Sequence, residues 1–327
     1  MDQIEKYIEE LMEKSTPDRP IWNIEKIMQG LKSTWNYIDG CMIKAILEMY
    51  AITKEDKYLK FADDFIDCKV NADGTIEGYD VNELNIDNVN AGKTLFELFD
   101  LTGKEKYRKA IDLVYSQVAQ MPRTKEGNFW HKNIYPNQVW LDGLYMCQPF
   151  YMEYETRFHE KKNYDDIFRQ FFNVVEHMRD PKTGLYYHAY DSSREMFWCD
   201  KVTGLSQNFW LRALGWYSMA LLDTLDKADA SVGEPYERLK KVFVDLMDAM
   251  LKYQDASGMW YQVVNFGGME KNYLETSGSS IMAYALLKGV RLGFLPENYQ
   301  TYGAKAFHGI CEKYLSEDAD GSLHLDG

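Results

Sequence analysis

The segment Trp140-Leu141-Asp142-Gly143-Leu144-Tyr145-Met146 sets one acid inside a run that is otherwise apolar. From Val139 to Met146 there is no polar face, the signature of a helix buried all round. A carboxylate stripped of water needs partners, or it holds its proton to higher pH. One use for such a group is to donate a proton inside a pocket. The competing reading is an acid satisfied within the core, and spacing alone leaves both open.

A second acid, Asp87, stands in Asn85-Ile86-Asp87-Asn88-Val89-Asn90, just ahead of another apolar helical stretch. Alone it reads as a helix N-cap. Taken with Asp142, it suggests paired acid/base work on a sugar. His188, in Tyr186-Tyr187-His188-Ala189-Tyr190, sits in an aromatic loop following a glycine and is a candidate at the same site. Arg212 is a cation at an apolar helix start, Phe209-Trp210-Leu211-Arg212-Ala213-Leu214-Gly215-Trp216. It can pair with Asp142 or grip a substrate carboxylate with its planar fork. Trp210 and Trp216 offer ring faces to a sugar, or pack in the core. The remaining histidines have no metal-ligand spacing, so no catalytic metal or other cofactor is expected. A phosphate-binding loop, a dinucleotide fingerprint and a Ser-His-Asp signature are all missing.

The elements that carry these residues repeat. Gly40, Gly92, Gly143, Gly215 and Gly278 recur at intervals of 52, 51, 72 and 63 residues, each opening an apolar helical stretch. A second series interleaves, with turn, Tyr and amphipathic helix at Tyr58, Tyr107, Tyr164, Tyr236 and Tyr299. Each amphipathic helix ends in a glycine segment, at Gly74, Gly127, Gly184, Gly258 and Gly321. Such glycines supply the positive φ of a helix end or tight turn, and short extended segments are expected after them.

Helices with one wet face alternating with helices buried all round predict concentric layers: an all-α, (α/α)6 barrel occupying 1–327 as a single domain. The loops before the buried helices would gather at one mouth, a natural pocket. Six amphipathic but five buried helices are counted, so the sixth inner helix is missing and the natural chain is expected to run past Gly327.

A formal net charge of −14 and no basic patch argue against nucleic acid and anionic membranes as partners. Five scattered Cys, with no C-x-x-C pair, fit neither a disulfide framework nor a zinc site. With no signal-like start and no apolar run of membrane-spanning length, a cytoplasmic setting is expected.

The pieces Trp35-Asn36-Tyr37, Asp87-Asn88-Val89-Asn90, Trp140 to Met146, His188, Phe209 to Trp216 and Glu275-Thr276-Ser277-Gly278 together resemble glycoside hydrolase family 105, the unsaturated rhamnogalacturonyl hydrolases. The resemblance runs through nearly the whole chain and implies a six-hairpin α/α barrel. It implies a pectin-derived oligosaccharide substrate, made by a lyase and ending in a 4,5-unsaturated galacturonic acid. The enzyme would protonate the vinyl ether at C4 while water adds at C5. Asp142 would be the general acid/base, and Asp87 would orient the sugar and tune it. His188 and Arg212 would bind hydroxyls or the carboxylate, and Trp210 and Trp216 would wall the pocket. Tyr37 and Trp140 complete the expected substrate-binding set. One departure is local: the family more usually has Ala before the arginine and Gly-Asn after it, where this chain has Leu211 and Ala213-Leu214. Alternatives are an unsaturated glucuronyl hydrolase, a sugar epimerase on the same toroid and a non-enzymatic scaffold.

Overall fold

Alternating wet and dry sequence periods become alternating helices in a computed structural model that describes residues 2–327. The chain packs as two units, Met1–Met121 with Asp318–Leu323, and Pro122–Glu317 with His324–Gly327. In the first, α1 (Asp2–Glu13), α4 (Asp56–Asp67) and α6 (Glu105–Gln120) are amphipathic; α2 (Ile24–Met28) is one short turn of helix, α3 (Tyr37–Thr53) is largely apolar, and α5 (Lys93–Thr102) is the other inner helix. Ile43, Ile46, Leu95, Phe96, Ile111 and Val114 form the core of this unit. In the second, the buried helices α7 (Leu141–Phe158), α9 (Leu211–Lys227) and α11 (Thr276–Arg291) pack side by side. The amphipathic α8 (Tyr164–Met178), α10 (Glu234–Leu251) and α12 (Tyr299–Tyr314) pack against them.

The tyrosine series fixes neighbouring amphipathic helices to one another. Buried Tyr58 on α4 donates its hydroxyl to Glu9 of α1 at 3.0 Å, and buried Tyr107 on α6 donates to Asp63 of α4 at 2.6 Å. In the second unit Tyr299 on α12 donates to Asp248 of α10. A buried hydroxyl left unpaired would cost about 1–3 kcal/mol, so the phenols of Tyr58 and Tyr107 specify both position and partner.

Short antiparallel bridges flank the expected glycine turns, at Val70 with Ile76, Arg123 with Phe129 and Arg179 with Tyr186. Gly258 has φ +93°, and a Cβ there would meet the Lys305 carbonyl oxygen at 2.5 Å. The other glycine series has a different cause. Gly40 and Gly278 have no positive φ; a Cβ at Gly40 would lie 2.6 Å from the Ala91 Cα. These positions are glycine because buried segments approach closely there, backbone to backbone at Gly40 and backbone to side chain at Gly278.

One boundary differs from the sequence reading. The buried stretch around Asp142 does not begin as helix: β1 (Gln138–Trp140) pairs antiparallel with β2 (Ala189–Asp191), and α7 starts at Leu141. Residues 86–92, ahead of the helix that Gly92 opens, form a 3-10 turn running into α5. After α12, β3 (Leu315–Glu317) and β4 (Leu323–Leu325) pair around the Gly321 turn. Among the described residues no helix is long and apolar enough to cross a membrane, and the five cysteines are free.

Candidate active site

The β1–β2 pair builds the centre of the site. Its register sets Trp140 opposite Ala189, which brings the next residue on each strand face to face. The Leu141 N–H then donates to the His188 carbonyl at 3.0 Å, so His188 lies beside the first turn of α7. Asp142 follows immediately, and its Oδ2 lies 3.1 Å from His188 Nε2. The approach is at ion-pair distance but off the hydrogen-bond axis, leaving both atoms without an aligned hydrogen bond. The Asp142 side chain is 15% exposed, so it is not sealed in the core as the apolar run suggested, and it touches His188, which lines a cavity. A carboxyl against an imidazole at a pocket wall can pass a proton to or from a bound group.

Tryptophans hold the imidazole. Trp140 meets the His188 ring edge-on at 5.4 Å and Trp210 does so at 4.8 Å. Trp140 also stacks parallel with Tyr135 at 5.3 Å and His131 at 4.5 Å, and its indole N–H donates to Gln138. Trp140, His188, Trp198 and Trp210 wall a cavity of about 600 Å³. Ser206, Gln207, Asn208 and Gln262 supply neutral polar groups, and no Lys, Arg, Asp or Glu is among the described lining residues. Flat apolar faces with a few amides and hydroxyls suit a sugar ring, which has apolar C–H faces and a polar rim.

Arg212 is in the first turn of α9 and pairs with Glu275 rather than Asp142. Its Nη1 is 2.5 Å from Glu275 Oε1, and its guanidinium carbon lies 4.4 Å over the Trp210 ring. Ser277 donates to the same Glu275 oxygen at 2.7 Å, while Glu275 itself is 2% exposed. A guanidinium carries five N–H donors in a rigid fork, so this clamp leaves donors for an incoming carboxylate.

The loop after β2 forms another wall. Asp191 is fully buried and accepts from the backbone N–H groups of Ser193, Glu195 and Met196 and from the Ser193 hydroxyl. Burial pushes its carboxyl up, but these donors outweigh that and hold it below the usual carboxylate range.

Not every expected site residue lines this cavity: Asp142 adjoins it only through His188, and Arg212 only by lying over Trp210. Trp216 stacks on Tyr145 at 5.1 Å, one turn further along the helices, and does not line it. Asp87 and Tyr37 belong to the first unit. There Asn85, not Asp87, is the capping residue: its side chain accepts from the Asp87 N–H. Asp87 is half-buried beside Asn90, whose amide donates to the Tyr37 carbonyl at 3.0 Å. Glu275 and the Phe197-Trp198 loop were missed as site residues by sequence reasoning. Glu275 lay in a quoted motif without a role. The loop had a signal in the 72-residue glycine interval, longer than its neighbours because it accommodates this excursion. Among the described residues no group of three or more His, Cys, Asp or Glu is arranged to hold a metal ion.

Comparison with known proteins identifies the family. A protein of Agrobacterium fabrum is 35% identical over 188 residues, covering 56% of this chain and 78% of that one. The unsaturated rhamnogalacturonyl hydrolase YesR of Bacillus subtilis is 26% identical over 284 residues, 85% of this chain and 76% of that one. A solved glycoside hydrolase of family 105 from C. acetobutylicum superposes with a TM-score of 0.88 at 45% identity, covering 98% of this chain and 86% of that one. The fold class is therefore all-α, of the α/α-hairpin type the repeat predicted. The family model described as Glycosyl Hydrolase Family 88 matches residues 4–327, and with the family 105 likeness it establishes that the chain belongs to this 88/105 group of glycoside hydrolases.

Proposed function

We propose that this glycoside hydrolase releases the terminal 4,5-unsaturated uronic acid from lyase-generated rhamnogalacturonan oligosaccharides. The observation that carries the reading is the Asp142 carboxyl against His188 at the edge of a tryptophan-walled cavity. The similarity to an unsaturated rhamnogalacturonyl hydrolase supports the substrate.

Asp142 delivers its proton to C4 of the vinyl ether. Its carboxylate then takes a proton from a water whose oxygen bonds to C5. The C4–C5 double bond is consumed, and the hemiketal at C5 opens to a ketone. The opened sugar frees its anomeric carbon as an aldehyde and releases the next sugar with its hydroxyl intact. The water supplies the atoms gained, and the carboxyl ends in its starting state. Arg212, clamped by Glu275, grips the uronate carboxylate with its remaining donors. His188 holds a ring hydroxyl and orients Asp142. Trp140 and Trp210 wall the ring. In this reading 1–327 acts as one catalytic domain. A cytoplasmic setting fits five free cysteines.

The test follows ultraviolet absorbance of the conjugated double bond in an unsaturated rhamnogalacturonan disaccharide. Wild type should bleach it, and Asp142→Asn should be slower by about 10³-fold. If wild type leaves the absorbance unchanged while bleaching an unsaturated glucuronyl disaccharide, the rhamnogalacturonan assignment fails. If Asp142→Asn keeps pace with wild type, the role of Asp142 fails.

A further inference from the structure

Phe197 is 90% exposed, yet the loop that carries it is among the most heavily tied segments of the site. Asp191 gathers four donors at its start. The Lys201 ammonium caps the carbonyls of Glu195 and Met196 at 2.9 and 2.6 Å, on the two residues just before Phe197. Cys199, two residues after it, is buried. Beyond that, the Asp191 N–H donates to the Gly204 carbonyl and the Ser206 N–H to the Ala189 carbonyl, closing the loop on β2. A phenylalanine fixed in water at a cavity wall gains nothing from folding, because its apolar surface stays wet until something covers it.

The cavity beside it identifies what covers it. In its lining Trp140 and Trp210 each pack on His188, whereas Phe197 and Trp198 come from the loop alone. The lining between them is amide and hydroxyl without formal charge. From these observations we propose that Phe197 is a stacking platform for a second sugar ring beyond the scissile bond, making it a determinant of chain-length preference. The proposal rests on the hydrolase reading above and adds to it an extended acceptor side. The pre-tied loop means that little ordering entropy is lost when the sugar lands on the ring.

The experiment compares kcat/KM for an unsaturated rhamnogalacturonan tetrasaccharide and the corresponding disaccharide in three proteins. Wild type should prefer the tetrasaccharide. Phe197→Ala should lower that preference by about fivefold, the effect of covering roughly half a phenylalanine side chain. Val202→Ala, an exposed residue on the same loop outside the cavity lining, should leave the ratio as in wild type. Calorimetry with the Asp142→Asn protein repeats the comparison as a Kd ratio, with no turnover needed. An unchanged ratio in Phe197→Ala, or no wild-type preference in either assay, overturns the platform. Absence of bleaching together with a Phe197-dependent binding ratio would instead overturn the hydrolase reading and leave the platform standing.

Discussion

The starts of α7 and α9 use one backbone device with opposite charges. Each helix is entered through an extended tryptophan, Trp140 or Trp210. In each, the first helical N–H donates to a loop carbonyl: Leu141 to His188 at 3.0 Å, and Leu211 to Gln262 at 2.8 Å. The second helical residue then touches a residue of the cavity lining: Asp142 meets His188 in one case, and Arg212 lies over Trp210 in the other. Their partners differ in kind. Asp142 meets His188 without hydrogen-bond alignment, whereas Arg212 is gripped by Glu275 and laid on the Trp210 ring. The repeat therefore supplies placement, and the side chain decides the role. In the proposed mechanism the group that must gain and lose a proton is held loosely, while the group that must stay charged is clamped.

The sharpest way to break this comparison is to remove each charge and ask which kinetic constant moves. Asp142→Asn should lose about 10³-fold in kcat with little change in KM, as expected for a group acting only in the transition state. Arg212→Ala should instead raise KM, with kcat/KM falling by about 10²-fold, because a carboxylate contact is lost and Glu275 is stranded. Equal loss in kcat for both variants would mean that the two helix starts do not divide the work. A subtler variant tests the clamp alone. Glu275→Gln keeps the shape but replaces an ion pair with a neutral hydrogen bond. We expect about a tenfold rise in KM with kcat nearly kept, since the guanidinium remains charged but loses its fixed orientation. A kcat loss equal to that of Asp142→Asn would assign Glu275 to the chemistry instead.

How far the sequence foretold this follows from where each signal lies. Hairpins were legible because apolar period, Tyr58, Tyr107 and the turn glycines are local marks repeated several times. Asp142 stood out because a charge in an apolar run is costly, and His188 because it follows a turn in phase with the repeat. The strand before Asp142 was not legible: three residues, Gln138–Trp140, become extended only through pairing with Ala189–Asp191, a partner some fifty residues away. Glu275 escaped for the same reason, since its partner Arg212 is 63 residues earlier and each reads locally as a helix-start polar residue. Trp216 reads locally as either pocket face or core, with only the family resemblance favouring a wall, and its pairing with Tyr145 sets it apart from the cavity.

The smallest expected effect concerns the third copy of the same helix start. At α11 the first helical N–H, from Thr276, donates to the Gly327 carbonyl at 2.9 Å, and the third helical residue is Gly278. The corresponding position of α9 is Ala213, so the device itself tolerates a methyl group. At Gly278, however, a Cβ would lie 2.4 Å from Leu211 Cγ and 2.8 Å from Glu275 Oε2. Both neighbours hold the arginine clamp: Leu211 precedes Arg212, and Glu275 grips it. Gly278→Ala should therefore cost about 1–3 kcal/mol of stability by overpacking, read as a lower denaturant midpoint. Displacement of Glu275 should also raise KM, by less than in Glu275→Gln, because the carboxylate is moved and not removed. A variant that loses stability with KM unchanged would mean that the α9–α11 contact is packing alone and that the clamp tolerates its movement.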